Sequence, residues 1–168
     1  MIANQRGNGT RILLLAICLV TILGLLRTRF SFALVDGESM QPSFSSGDLL
    51  LVDHWAYRET EPRREDIIVA PWRSELVVKR IIGMPGEHVE VKQGKLYIND
   101  SEIPENHSTK AGTLAICKGK LMSGKFATLG DNRSMSPTLT VHPILTKPEI
   151  TGKVIFAVSW KRLLLGVL

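Results

Sequence analysis

Three short stretches carry side chains that could act together on a carbonyl carbon. In Gly37-Glu38-Ser39-Met40-Gln41-Pro42 a serine stands beside a flexible glycine and just before a proline. A bend of that kind can present the hydroxyl as a nucleophile and let backbone N–H groups converge on a developing oxyanion. In Val77-Val78-Lys79-Arg80-Ile81-Ile82 a lysine sits in the middle of a β-branched run. If the strand alternates, one face is buried, and loss of water disfavours the ammonium and lowers its pKa. At an ordinary pKa only roughly 0.04% of a lysine is neutral at pH 7, and each unit of depression gains about tenfold. The third stretch, Gly130-Asp131-Asn132-Arg133-Ser134-Met135-Ser136, follows an apolar strand. Taken singly, each has a plainer reading: a Gly/Ser/Pro loop, an edge-strand lysine pointing to water, a polar turn.

The elements that must position these residues are short and apolar. Runs 48–52, 66–70, 75–82, 87–91, 96–98, 125–129 and 153–158 read as strands broken by Gly, Pro and Asp. Gln93-Gly94 is a hairpin turn signal, and Asn99-Asp100 begins another turn. Beyond residue 35 nothing shows a 3.6-residue apolar period, so the expectation is a mainly β domain over 36–168, a barrel or packed sheets. Residues 101–124, with Pro104, Gly112, Gly119 and Gly124, read as an irregular, flexible surface insertion.

Ahead of that domain lie a flank, 1–11, and an apolar segment, 12–35. Ile12 to Leu26 carries no charge and one hydroxyl. As a helix it rises about 22 Å, short of the roughly 30 Å hydrocarbon core. Snorkelling by Arg11, Arg27 and Arg29, with Phe30, Phe32, Leu34 and Val35 extending the apolar stretch, makes a thin or tilted span feasible. The rival is a cleaved secretory signal ending at Ser31-Phe32-Ala33, but Arg27 and Arg29 intervene before that site, so the segment reads as a retained anchor. Arginines flank it on both sides, so charge does not set its orientation. The net charge of +5 is spread along the chain without an arginine-rich run or zinc-finger spacing, which disfavours nucleic acid and suits a surface near anionic lipid. Cys18 and Cys117 make no disulfide framework. His54, His88, His107 and His142 stand at no ligand spacing from one another; they receive no role, and neither metal nor cofactor is expected.

Together, in this order, the blocks resemble the bacterial type I signal peptidases (leader peptidases) of peptidase family S26. The match takes in the anchor, Gly37 to Pro42, Ser46-Gly47-Asp48-Leu49-Leu50-Leu51-Val52, Arg64-Glu65-Asp66-Ile67-Ile68-Val69, Val78 to Glu87, and Gly130-Asp131-Asn132-Arg133. The resemblance implies a Ser-Lys dyad: Ser39 as nucleophile, Lys79 as general base, and Ser136 as the hydroxyl that orients the lysine. The backbone N–H of Ser39 would hold the oxyanion; the position where some members add a serine hydroxyl is Gly37 here. Met40 and Pro42 would shape the nucleophile turn. Asp131 and Arg133 would be structural, an ion pair or turn network beside the site. The implied substrates are secretory preproteins with small residues at the −3 and −1 positions, bound extended against an edge strand. The implied location is the bacterial cytoplasmic membrane, single-pass, with the catalytic domain on the extracytoplasmic face. Phe44, Trp55 and Tyr57 could rest at the lipid interface or pack in the core.

The family's last block usually continues Ser-x-Asp-Ser-Arg, whereas this chain has Ser136-Pro137-Thr138-Leu139-Thr140. Arg133 therefore needs a different partner. The departure keeps two other readings open: a specialised peptidase of the same clan maturing one dedicated precursor, as in conjugative pili, and a catalytically degenerate membrane-anchored binding module. A self-cleaving repressor sharing the dyad would need a DNA-binding domain where the apolar segment stands.

Overall fold

A computed structural model describes residues 5–136 and 143–159. Helix α1 (Gln5–Arg29) is the one long helix among them. Its stretch Arg11–Arg29 is long and apolar enough to cross a membrane, and none of it is buried against the rest of the chain. At about 1.5 Å per residue it reaches roughly 28 Å, close to a hydrocarbon thickness. Its apolar side chains are exposed on all sides, a surface that suits an apolar surrounding.

All other described regular structure is β, apart from one 3₁₀ turn at Lys147–Glu149. The strands are β1 (Phe30–Leu34), β2 (Leu49–Asp53), β3 (Ile67–Trp72), β4 (Glu75–Gly83), β5 (His88–Lys92), β6 (Lys95–Ile98), β7 (Ser101–Glu102), β8 (Ile116–Lys120), β9 (Lys125–Leu129), β10 (Ile144–Thr146) and β11 (Gly152–Val158). They form a seven-stranded sheet in the order β1-β2-β11-β3-β4-β9-β10 and a four-stranded sheet in the order β7-β6-β5-β8. Every ladder is antiparallel. Gln93 (φ 49°) and Gly94 (φ 76°) close β5 onto β6, and Asn99 (φ 51°) and Asp100 (φ 69°) close β6 onto β7. Two consecutive left-handed residues make the turn whose twist suits a two-residue hairpin.

The apolar extension of the span beyond Leu26 is corrected in part. Phe30, Phe32 and Leu34 form β1, paired with β2 in the register Phe30↔Asp53 to Leu34↔Leu49, and Val35 is buried. Without β1, the outer backbone groups of β2 would lack partners. Segment 101–124 contains β7 and β8, and its Leu114 and Leu121 enter the core beside Ile82, Val89 and Leu96.

Two further clusters hold the site in place. Val35, Met40, Phe44 and Leu50 lie beneath the bend that carries Ser39. Ile68, Ala70, Ile81, Phe126 and Leu145 pack β3, β4, β9 and β10 together around the strand that carries Lys79. Each fully buried Leu or Ile here contributes about 1.5–3 kcal/mol.

Candidate active site

Lys79 enters at the middle of β4, held by β3 through the pairing Ile68↔Lys79. The residue is only 3% exposed. Its Nζ donates a hydrogen bond to Ser39 Oγ at 2.6 Å, across forty positions of sequence. Burial pushes the amine down to about pKa 8, against a weaker upward pull from the Asp131 carboxylate. At that value about a tenth of the amine is neutral at pH 7, against roughly 0.04% at the ordinary lysine value. A hydroxyl and a partly neutral amine in hydrogen-bond contact can share a proton, which is what an activated serine needs.

The bend that presents Ser39 is pinned from both sides. Met40 is buried in the core beneath it, and the Gln41–Pro42 peptide is cis. Above it runs the turn after β9: Asn132 donates its backbone N–H to Ser39 O at 3.0 Å and its side-chain amide to Glu38 O at 3.0 Å. Gly130 sits so close that a Cβ there would lie 2.3 Å from Ser39 O. Gly130→Ala should therefore push the Ser39 bend off Lys79, and any turnover that depends on this pair should lose about tenfold or more in kcat while KM changes little; unchanged kcat in steady-state assays would show that the bend has slack.

Asp131 is fully buried. It accepts from Arg80 Nε at 2.9 Å and Nη2 at 2.7 Å, and from Ser43 Oγ at 2.5 Å. Burial acts to raise its pKa, but bonds from Arg80 and Ser43 and the nearby His107 ring hold the carboxyl well below its ordinary range. Arg133 pairs instead with Glu105, at 2.5 Å, and also donates to the carbonyls of Gly94 and Gly130. Glu105 is thus the partner of Arg133 in this chain. Ser136 is exposed, at the last described position before 137–142; Pro137, Thr138, Leu139, Thr140 and His142 fall outside the described residues.

A cleft of about 460 Å³ runs past the pair, with Leu34 to Gly37, Ser39 and Met40 on one side and Glu75 to Lys79 on the other. Pairing of β4 with β9 begins only at Arg80, so the stretch of β4 lining the cleft has β3 on one side and the cleft on the other. Leu34 and Leu76, at 67% and 62% exposed, stand at its rim. A larger apolar groove of about 670 Å³ lies between α1 and β1, but its only ionisable side chain is Arg27, and Ser39 and Lys79 both line the smaller cleft. Phe44 is core, and Tyr57 packs against the Ile68 cluster while donating to Asp66. Trp55 is half-buried under Arg58, whose guanidinium lies 3.9 Å from its ring.

Sequence reasoning assigned nothing to His107, which the structure places in the Asp131 network, 2.5 Å from Glu65. Its only signal was a histidine within a polar insertion. Cys18 and Cys117 are both exposed and unpaired. Among the described residues no His/Cys/Asp/Glu group could hold a metal ion.

Residues 9–160 match the family described as "Signal peptidase, peptidase S26". Signal peptidase I of Bacillus amyloliquefaciens is 31% identical over 150 residues, covering 82% of this chain and 81% of that protein. Signal peptidase I of Leptolyngbya laminosa is 31% identical over 131 residues, and there the chain spans only 64% of the relative's length. Among solved structures, a signal peptidase I from Enterococcus faecalis V583 matches with a TM-score of 0.44 and 25% identity, covering 56% of this chain and 97% of that one.

Proposed function

This chain belongs to the S26 family of signal peptidases, and from that premise we propose that it is a membrane-bound serine endopeptidase removing N-terminal signal peptides from secretory preproteins. Ser39 attacks the scissile carbonyl as Lys79 takes its proton. The backbone N–H of Ser39 faces the oxyanion, and the same lysine activates the water that releases the acyl-enzyme. Ser136 orients the lysine. The single observation that carries this reading is the 2.6 Å contact between Ser39 Oγ and an amine that burial has moved down to about pKa 8.

The cleft supports an extended substrate. Backbone groups of Glu75–Val78 can pair with a peptide strand laid along them. Helix α1 anchors the domain as a single pass of the bacterial cytoplasmic membrane, with the cleft on the extracytoplasmic face, where signal peptides emerge.

The test is cleavage of a panel of unrelated preproteins by the full chain in detergent, across pH 6 to 10. We expect cuts after a small residue with another small residue at −3, and a rate that climbs as pH rises through about 8, because the base must lose its proton first. A rate falling over that range would remove Lys79 from the mechanism. Acceptance of one precursor only would favour the dedicated enzyme, the reading to which Pro137 and Thr138 after Ser136 point.

A further inference from the structure

Between β7 and β8 the chain passes over the turn that holds the nucleophile. Lys110 N–H donates to Asp131 O at 3.0 Å, and Arg133 N–H donates to Lys110 O at 2.9 Å. Gly112 lies so tightly on Arg133 that a Cβ there would meet its carbonyl oxygen. This strap delivers two ionisable side chains, Glu105 and His107, into a nearly closed cluster whose other members come from three different elements. Glu65 precedes β3, Arg80 is on β4 beside Lys79, and Asp131 and Arg133 follow β9.

Without the histidine the cluster is out of balance, with three carboxylates (Glu65, Glu105, Asp131) against two guanidiniums (Arg80, Arg133). Both ring nitrogens of His107 face carboxylates. Nδ1 is 2.5 Å from Glu65 Oε2. Nε2 is buried, 3.3 Å from Asp131 Oδ1 and 3.4 Å from Glu105 Oε1, and aligned with neither for a directed bond. A neutral imidazole has a single N–H and would turn a lone pair toward one of these anions. A cation between them would not.

We propose that His107 stands as an imidazolium and is a positioning residue for the dyad, cancelling the surplus negative charge around Asp131 so that Lys79 can give up its proton. The inference rests on the reading of Lys79 as the base. Two further observations agree with it. Burial alone would lower the His107 pKa, yet the close approach and charge of Asp131 and the charge of Glu65 raise it, against Arg80. The Asp131 carboxylate is also the charge that pulls the Lys79 pKa upward. Leaving that carboxylate less screened must therefore hold the proton on the lysine more firmly.

The experiment follows the Lys79 side-chain NMR titration and the pH–rate profile of the full chain in detergent, in wild type, His107→Gln, and His107→Gln with Glu65→Gln. In His107→Gln we expect both midpoints to rise by about half a pH unit or more, a loss of about threefold in neutral lysine at pH 7, with KM little changed. The second substitution removes one carboxylate, restores the charge balance, and should return both midpoints toward wild type. A Lys79 midpoint that stays put in His107→Gln overturns the proposal, since a merely structural role would cost stability without moving it. Should that variant fail to fold, the wild-type imidazole decides: a His107 titration at or below the ordinary histidine value overturns the proposal, and one above it supports it. An inactive protein whose Lys79 midpoint still moves would count against the peptidase reading and leave the role of His107 standing.

Discussion

Ser39→Ala and Lys79→Met should each drop preprotein cleavage to background, a loss on the order of 10⁴-fold or more, and the double variant should lose no more than either alone. Residues that act as one unit fail together, because a hydroxyl without its base and a base without its hydroxyl are equally idle. Methionine keeps the four-atom stem of the lysine side chain and removes only its amine, so the cleft keeps most of its shape. The same change should stabilise the fold. A lysine moved from its ordinary value to about pKa 8 by burial binds its proton less well in the native chain than in the unfolded one. At about 1.4 kcal/mol per unit, that costs about 3 kcal/mol below pH 8. The sign follows from proton counting: between pH 8 and the ordinary lysine value the unfolded chain holds more protons, so stability rises with pH. Denaturation of wild type and Lys79→Met at pH 7 should therefore favour the variant, and by pH 10 most of the difference should have gone. A less stable Lys79→Met at pH 7 would mean that the ammonium is better solvated than its burial indicates.

The placement of Ser39 and Lys79 was legible in the sequence because both lie in short apolar or tightly turned segments. The β-branched neighbours of Lys79 gave away its buried strand, and Gly37 and Pro42 gave away the bend at Ser39. What could not be read were partners joined over long separations by contacts without periodicity. Glu105 meets Arg133 across 28 positions and His107 meets Glu65 across 42, and both come from a segment that looks irregular because most of it is. Strands β7 and β10 are two and three residues long, and β8 reads Ile-Cys-Lys-Gly-Lys, so none offers an alternating pattern. Strand β1 was missed for the opposite reason. Its apolar residues continue those of the helix, and only the need of β2 for a partner separates them. Phe44 and Tyr57 could be assigned to core or lipid only once neighbours were known; of the rim residues that face outward, Leu76 reads as an ordinary strand residue and Leu34 as part of the apolar stretch after the helix.

Asp131→Asn should be the most damaging single change to the fold. The carboxylate is fully buried and takes bonds from Arg80 and Ser43. Asparagine keeps the shape and one oxygen but removes the charge, stranding the Arg80 guanidinium, itself nearly buried, beside a neutral group. Breaking a buried pair from one side costs about 3–5 kcal/mol, a large part of the roughly 5–15 kcal/mol available to a domain, and should lower Tm by about 10 °C. Replacing both partners, Arg80→Met with Asp131→Leu, should cost less than the single change, because no unpaired charge remains. The pH dependence gives a second handle. A carboxyl held below its ordinary range stabilises the fold above that range, and the contribution is lost as pH falls through the native value. Acid denaturation should accordingly be shallower in Asp131→Asn. With its upward pull on Lys79 gone, whatever variant enzyme remains folded should reach half-maximal rate at a lower pH than wild type, opposite to His107→Gln. Thermal melts together with pH–rate profiles of the two variants check this. Shifts in the same direction would show that the charge around Asp131 does not govern the lysine.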